Sequence, residues 1–424
     1  REDGAAQRLT TSEGAEREVT WAPDSRRVLY VTERGLDNLL AERDVVSGRE
    51  TLLTRSGVAA APAWSPDGSA IAYVMNRREL RLYRPAAGKR PASDTLLYTG
   101  ALDMDEHGPR PAWSPDGKWI AIAVRDARSF VNVHVVPVTG GEARPVSFLA
   151  NGQLGQIAWA PDGSYILFDS AQRSEDAHIV RIDLLPHVPK YREDLFRDLF
   201  KAAPPGTPTG PAAPGDAKAD DAGPAKSKAP VTPSGAAVRI VWEGLRDRAT
   251  ILPLGLSAES PVIAPDGKTL VFRAHEGERD NLYSYSLDEQ ATEPPSAKQI
   301  SSSDKRKGDF FLSADGKTLA YLDGGKLIST PLADPKPKPV AVAAEMDIDF
   351  DAEKQVVFDE AWGTLDRGFF DPAFNGRDWG ALRRRFEPYA LGSHNPDELR
   401  RVINLMVGEL NASHSGINRP SRGE

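Results

Sequence analysis

Near the end of the chain, a serine and a histidine stand side by side in the run Ser413-His414-Ser415-Gly416. An imidazole can take the proton of a serine hydroxyl as a general base and return it to a leaving amine as a general acid. The pair follows a predicted helix, whose C-terminal dipole favours a protonated imidazole. A structural or surface role for His414 and a capping role for Ser413 fit the same residues, so the local sequence leaves both interpretations open.

Carboxylates recur through the chain in a pattern that could bind calcium. Each of the aspartates Asp67, Asp116, Asp162 and Asp266 follows a proline and precedes a glycine. Turn formation explains them without a metal, because aspartate bonds its own backbone and glycine takes the positive φ that follows. The run Asp103-Met-Asp105-Glu-His-Gly108 lacks the length and the terminal glutamate of a calcium-binding hand, and the histidines lack the spacing of metal ligands. We therefore expect neither a metal site nor a cofactor.

These aspartates belong to a repeat that predicts the fold. Six turns of the Ser-Pro-Asp-Gly type occur, and they begin at Trp21, Trp64, Trp113, Trp159, Ile263 and Leu312. The steps of 43, 49, 46, 104 and 49 residues are close to the period of four-stranded propeller blades. Alternating apolar runs such as residues 119–124 follow the turns, and runs such as 80–83 and 281–285 supply the next strands. The sequence predicts a mainly β fold, a β-propeller with six visible blades, in which the tryptophans at 64, 113 and 159 belong to blade cores.

The long step of 104 residues contains an insertion. Residues 203–236 hold 8 Pro, 9 Ala and 5 Gly among 34 residues and no aromatic side chain. Such a composition cannot bury enough apolar surface to offset its ordering entropy, so we predict a mobile surface spacer, with partner binding as the alternative. A short helix is predicted within residues 187–200, and residues 238–242 are predicted to resume the interrupted blade as a strand.

From about Glu353 the apolar period changes from two to 3.6, which predicts helices. The apolar faces of three predicted helices are Phe358, Ala361, Trp362, Leu365 and Phe369; Trp379, Leu382, Phe386 and Tyr389; and Leu399, Val402, Ile403, Met406 and Leu410. Asn395 is the predicted N-cap of the third helix, with Pro396 at its first position and Glu398 completing a capping box. The alternating run Asp347-Ile-Asp349-Phe-Asp351 predicts one polar face of a strand at the domain junction. We place the propeller in residues 1–344 and a small α-helical domain in residues 345–424.

Composition excludes several classes of protein. The formal charge of −8, from 61 acidic and 53 basic residues without a long block of one sign, argues against a nucleic-acid surface. Zero cysteines exclude disulfides and thiolate metal sites, and no stretch reaches the ~18 apolar residues of a membrane span. The chain opens at Arg1 without an initiator Met or a signal peptide, so we interpret it as part of a longer protein.

The repeats resemble those of TolB, the dipeptidyl peptidases and the tricorn proteases, and the helical residues distinguish among these families. The run Phe358-Asp-Glu-Ala-Trp362, then residues 369–371, 378–379 and Gly408-Glu-Leu-Asn-Ala-Ser-His-Ser415, is similar to the first part of the tricorn catalytic core. The resemblance implies that His414 is the catalytic histidine and that Ser413 belongs to the catalytic tetrad. The nucleophilic serine and the charge-relay glutamate of the family have no counterpart here, and the run Gly255-Leu-Ser257-Ala-Glu259 lacks the closing glycine of a hydrolase elbow.

The same resemblance implies a tricorn-like serine peptidase that hydrolyses peptides, with the propeller guiding or filtering the substrate. It also implies a homo-oligomer in the complete protein and a cytoplasmic location, with a periplasmic or secreted protein as the alternative. The alternative function is a non-catalytic, TolB-like propeller that binds a protein partner. The family has seven blades, so we expect residues 1–10 to be the outer strand of a seventh blade, because residues 338–342 already supply the outer strand of the blade at Leu312.

Overall fold

The computed structural model describes residues 8–10, 12, 14–103, 109–150, 152–172, 176–188, 237–277, 279–342, 349–413 and 415–418. Six four-stranded antiparallel sheets follow one another along the chain and form blades 1 to 6 of a β-propeller. Blade 1 contains β1 (Glu16–Trp21), β2 (Arg27–Arg34), β3 (Asp37–Asp44) and β4 (Glu50–Leu52). Blade 2 contains β5 (Ala59–Trp64), β6 (Ile71–Met75), β7 (Glu79–Arg84) and β8 (Ser93–Thr99). Blade 3 contains β9 (Ala112–Trp113), β10 (Trp119–Arg125), β11 (Val131–Pro137) and β12 (Arg144–Pro145).

The second half of the propeller repeats this arrangement. Blade 4 contains β13 (Gln153–Trp159), β14 (Tyr165–Ala171), β15 (His178–Asp183) and β16 (Ala249–Ile251). Blade 5 contains β17 (Ser257–Ile263), β18 (Thr269–Glu276), β19 (Arg279–Ser286) and β20 (Lys298–Gln299). Blade 6 contains β21 (Lys307–Leu312), β22 (Thr318–Asp323), β23 (Lys326–Pro331) and β24 (Lys338–Pro339). The predicted mainly β propeller is confirmed, and residues 80–83 and 281–285 lie in strands as expected.

The repeated aspartates close the turns between the first and second strands of the blades. In blade 2, the Ser65 hydroxyl donates to Asp67 Oδ1 at 2.6 Å, and the Ser69 backbone N donates to the same oxygen at 3.0 Å. Gly68 follows with φ +68°. The equivalent carboxylates at 116, 162, 266 and 315 accept the same kind of backbone hydrogen bond. The turn interpretation of these aspartates is therefore confirmed.

Two tryptophans of the repeat connect their blade to the preceding blade by a hydrogen bond. The Trp113 indole Nε1 donates to the Ala63 carbonyl at 3.1 Å, and the Trp159 Nε1 donates to the Ala112 carbonyl at 3.0 Å. The side chains of Trp64 and Trp159 are buried, as predicted, and Trp113 is half-buried. The first copy differs, because Trp21 is 55% exposed.

The outer faces of blades 1 and 6 remain partly uncovered among the described residues. Phe311 of β21 is 59% exposed, on the side of blade 6 that faces away from blade 5. Strand β24 pairs with β23 through Ile328 and Pro339, so the predicted outer strand of blade 6 is confirmed. The strand predicted over residues 1–10 is wrong for residues 8–10, which are not in a strand, and residues 1–7 lie outside the described part. Leu9 instead packs against the outer face of blade 1.

Two predictions around the insertion have different outcomes. Residues 238–242 are not a strand, because the edge of β15 is taken by β16 (Ala249–Ile251). Val238 instead bridges two blades: its backbone N donates to Asp116 Oδ2 at 2.9 Å, and its side chain packs in the core of blades 3 and 4. The predicted spacer (203–236) and most of the helix predicted within 187–200 lie outside the described residues.

Three helices follow the propeller: α1 (Phe350–Gly368), α2 (Trp379–Leu391) and α3 (Pro396–Gly408). Each begins at a capping residue whose side chain accepts backbone N–H bonds, namely Asp349, Asp378 and Asn395. The cap predicted at Asn395 is confirmed. The predicted capping box is wrong in its second bond, because the Glu398 carboxylate accepts from the backbone N of His394, at 2.8 Å, one residue before the N-cap. The strand predicted around Asp349 is wrong, since this residue caps a helix and Asp351 lies in its first turn.

The apolar faces of the helices form one core. Its fully buried members are Phe358, Ala390, Ile403, Met406 and Leu410. The predicted stripe of α3 is confirmed, but Tyr389 of α2 is 65% exposed and Ala390 takes its place in the core. We call this three-helix region, with the turns that join and follow its helices, the helical unit.

Candidate functional site

The predicted catalytic segment begins directly after the last helix. Helix α3 ends at Gly408, and Ser413 lies exposed five residues later. His414 lies outside the described residues, so its role stays a prediction. The chain on both sides of His414 is described, and it is fixed to the helical unit at two points.

The first point of attachment is Leu410, on the N-terminal side of the pair. Its side chain is fully buried in the helical core, and its carbonyl accepts a hydrogen bond from Asn375 Nδ2 at 2.8 Å. Asn375 lies in the turn between α1 and α2, with φ +53°. The turn is held by Asp371, whose carboxylate accepts from the backbone N of Ala373 at 3.0 Å and of Asn375 at 2.8 Å. The hydrogen bonds of this turn thus orient the side-chain amide of Asn375 toward the chain that follows α3.

The second point of attachment is Ile417, on the C-terminal side. Asn404 of α3 binds both of its backbone groups: Oδ1 accepts from Ile417 N at 2.7 Å, and Nδ2 donates to Ile417 O at 3.1 Å. The Ile417 side chain packs against the helical core. Because a side-chain amide has one donor end and one acceptor end, this pairing fixes the backbone direction of the segment. We call Asn375 and Asn404 the two amide clamps.

An aromatic stack supports the turn that carries Asn375. Phe374 stacks on Trp379 with ring centroids 5.7 Å apart and on Phe369 at 5.5 Å. Trp379 stacks in turn on Trp362 at 6.3 Å, and each indole donates to the other residue's backbone carbonyl, at 3.1 and 3.2 Å. The stack therefore ties α1, α2 and the intervening turn into one rigid support.

Sequence reasoning missed both clamps. The dipeptide Asn375-Gly376 is a turn signal that could have located the first one. No local signal identifies Asn404, because its hydrogen-bond partner Ile417 lies 13 residues further along the chain. The arrangement holds a short polar loop at a fixed place while leaving the Ser413 side chain exposed, which suits a group that must meet a substrate.

The helical unit rests on blade 1 of the propeller. Arg367 Nη1 donates to the carbonyl of Leu36, in the turn between β2 and β3, at 2.6 Å. Four residues earlier on the same helix, Gly363 lies against the Leu36 side chain. Glu360, one turn earlier again, pairs with Arg17 of β1 at 3.3 Å. One stripe of α1 thus contacts the end of blade 1 that carries the turn between β2 and β3.

The part of the chain that the structure describes shows neither a metal cluster nor a membrane-spanning helix. Within it, no group of three or more His, Asp or Glu side chains could hold a metal ion. Within the same residues, no helix combines the length and the apolar character needed to cross a bilayer.

A propeller of four-stranded blades followed by a three-helix unit defines the class of protein. The crystal structure of the tricorn protease has this fold: it matches with a TM-score of 0.64 and 16% identity, over 95% of this chain and 38% of that chain. The structure of a putative TolB from Agrobacterium tumefaciens matches with a TM-score of 0.43 and 15% identity, over 72% of this chain and 88% of that one. That similarity is too low to carry an argument.

The helical unit is the part of the chain that matches a known family by sequence. Residues 350–408 match the family described as the tricorn protease C1 domain. A protein named putative tricorn protease homolog 2, from Streptomyces coelicolor, is 27% identical over 211 residues, which are 45% of this chain and 17% of that protein. The chain spans well under half the length of these relatives.

Proposed function

We propose that this chain is the propeller and the first helical part of the catalytic core of a tricorn-like serine peptidase. The observation that carries the proposal is the position of the Ser413-His414 pair. It follows within six residues of the segment that matches the C1 domain family, and the two amide clamps hold the chain on both sides of it. A general base must be held at a fixed place relative to its substrate, and attachment of the chain on both sides of the pair favours this.

The residues take the following roles in this proposal. His414 removes the proton of a nucleophilic serine as it attacks the peptide carbonyl, and then protonates the leaving amine as the acyl-enzyme forms. Ser413 belongs to the hydrogen-bonded set around this histidine. The nucleophile and the carboxylate that orients the imidazole come from residues outside these 424. The substrates are peptides, and the propeller guides or filters them.

The experiment compares a longer protein that contains this chain with its His414→Ala variant, using a fluorogenic peptide. We expect kcat to fall by roughly 10⁴ to 10⁶, as for removal of a triad member, while peptide binding survives. His394→Ala is the matched control, because His394 is an exposed histidine of the same helical unit, and it should retain normal turnover. Near-normal turnover of His414→Ala would assign this histidine a structural role.

The 424 residues alone should not cleave the peptide, because they supply at most two of the groups that acyl transfer requires. Turnover by this chain that disappears in His414→Ala would place the nucleophile within it and overturn that assignment. The alternative function, a propeller that only binds a protein partner, predicts that the longer protein has no peptidase activity. The proposal also includes a cytoplasmic homo-oligomer, which fractionation and light scattering of the longer protein would test.

A further inference from the structure

Blades 4 and 5 carry charges at a position that is apolar in the other four blades. In each blade, the aromatic or aliphatic residue that opens the turn motif pairs with a residue of the second strand, as Trp159 pairs with Ile166. The position lies three residues after that partner, and in blade 4 it is Asp169. The same register gives, from blade 1 to blade 6, Val31, Val74, Ala123, Asp169, Arg273 and Leu322. The neighbouring residues Leu167 and Val271 face the following blade, so Asp169 and Arg273 lie at the junctions of blades 4 and 5 and of blades 5 and 6.

Asp169 lies between two blades and beside backbone groups of both. Its side chain is buried, and it accepts a hydrogen bond from the backbone N of Gln156 in β13. The backbone amide of Ser260 in β17 lies close enough to favour the ionised form of Asp169. Ser260 lies at a β-bulge of the innermost strand of blade 5, with φ +55°, where the strand ladder is interrupted. We call this junction the Asp169 seam.

The basic side chains near the Asp169 seam contact other groups. On β18, Arg273 Nε donates to Glu259 Oε1 at 2.6 Å, and His275 Nε2 lies 2.9 Å from the same oxygen. Arg273 Nη1 continues to the Lys307 carbonyl in blade 6 at 3.2 Å. On the remaining neighbours, β19 presents Asp280, near Arg273, and β15 presents His178, opposite Ser170. Among these groups, Glu259 acts on Asp169, because its charge repels an ionised carboxylate.

Burial and the Glu259 charge both disfavour the ionised form of Asp169. Burial is the larger cause, and together they raise the pKa of Asp169 to about 6 even though neighbouring backbone amides favour the ionised form. The carboxyl of Glu259 shows the opposite balance, because Arg273 and His275 hold its pKa below its ordinary value despite burial. This junction thus contains two carboxyl groups in different surroundings. Glu259 has basic side chains as its partners, whereas Asp169 has backbone amides.

We propose that the Asp169 seam is a pH-sensitive joint of the propeller: it closes more tightly when Asp169 carries a proton and opens more readily when Asp169 is ionised. The closed seam keeps this carboxyl dry, whereas the open seam exposes it to water. A state that binds a proton more tightly is stabilised as the pH falls, so the closed seam gains stability below about pH 6. That gain is complete below the ordinary aspartate pKa of 3.8 and is lost as the pH rises through about 6.

Hydrogen exchange at the backbone amides of Gln156 and Ser260 measures how readily the Asp169 seam opens. After division by the intrinsic exchange rates, we expect protection of residues 153–159 and 257–263 to rise about tenfold between about pH 7.5 and about pH 5.0. Residues 59–64, the inner strand of blade 2, provide an internal reference, because the equivalent position there is Val74 and no change of this kind is expected.

Two variants assign the effect. Asp169→Asn keeps the shape and an acceptor oxygen but cannot titrate, so its protection should be independent of pH over this range. Because histidines titrate near neutral pH in general, His275→Gln is measured in parallel, and it should keep the tenfold change. Flat protection in the unmodified chain, or a pH-dependent rise that persists in Asp169→Asn, would overturn the proposal.

If Asp169→Asn fails to fold, the carboxyl itself can be followed in the unmodified chain. Carbon-13 labelling of aspartate side chains should reveal one carboxyl that titrates with a midpoint near 6. Aspartate carboxyls that all titrate near their ordinary value would contradict the joint.

Discussion

The propeller turns and the helical unit are stabilised by interactions that differ in sequence separation. Each propeller turn is held by bonds among a few consecutive residues, such as those that Asp67 accepts from Ser65 and Ser69. The helical unit is held by contacts between distant segments, such as the bonds of Asn404 to Ile417 and of Asn375 to Leu410. A locally encoded motif recurs in many proteins, whereas a set of long-range contacts is specific. Residues 350–408 of the helical unit, accordingly, match the tricorn protease C1 domain family.

The propeller itself shows how far local encoding reaches. The turns at Trp21 and Trp159 have the same chemistry, yet Trp159 is 8% exposed and Trp21 is 55% exposed. The turn forms in both cases because its bonds are internal, while burial depends on whether another blade covers the indole. The motif therefore fixes the conformation of the turn and not the contribution of its aromatic residue to stability.

This difference gives the largest expected change in stability. Trp159→Ala should lower the free energy of unfolding by about 3–5 kcal/mol, because it leaves a cavity between blades 3 and 4 and removes the indole hydrogen bond to the Ala112 carbonyl. Trp21→Ala, at the matching position of blade 1, should change it by less than about 0.5 kcal/mol. Urea unfolding of both variants makes the comparison. Equal losses would mean that the outer face of blade 1 is covered in solution.

The second prediction concerns the clamp at the end of α3. In a longer protein that contains this chain, the proposed role of His414 predicts that Asn404→Ala lowers kcat about a hundredfold with little change in KM, because the segment after α3 loses one of its two attachments. Asn395→Ala at the other end of the same helix removes the N-cap and should cost about 1 kcal/mol of stability without affecting kcat. Steady-state kinetics with a peptide substrate and thermal unfolding of both variants separate the effect on kcat from the effect on stability. An unchanged kcat in Asn404→Ala would show that the clamp does not position the site.

The smallest effect is expected at residues 203–236. Replacing them with a short Gly-Ser linker should leave the melting temperature nearly unchanged, because halving or doubling a loop alters its closure entropy by only ~0.6 kcal/mol. Limited proteolysis should cut this stretch before any other. A large fall in melting temperature would mean that the segment packs against the propeller, and the spacer interpretation would be wrong.

The sequence predicted those parts of the fold that depend on neighbouring residues. The turn at Asp67 and the cap at Asn395 follow from side chains two or three residues apart, and both are confirmed. The strand predicted at residues 238–242 failed because β15 has one free edge, which β16 occupies instead. No local pattern could indicate that Val238 would bond to a turn of the preceding blade.

The candidate site divides in the same way. The Ser413-His414 pair was visible in the sequence, whereas its clamps were not, because an asparagine on a helix surface resembles any other polar residue until its partner is known. Asp169 escaped notice for a related reason, since only the strand register shows that it replaces the apolar residue of other blades. The seventh blade remains a proposal, which the exposed Trp21 and Phe311 side chains support.

Covalent labelling of the longer protein with a fluorophosphonate, followed by mass spectrometry of the labelled peptide, tests the central claim most directly. The account predicts one labelled serine outside these 424 residues, slow labelling in His414→Ala, normal labelling in His394→Ala and none in this chain alone. Labelling of a serine within the chain, or peptidase activity that the reagent leaves intact, would contradict it.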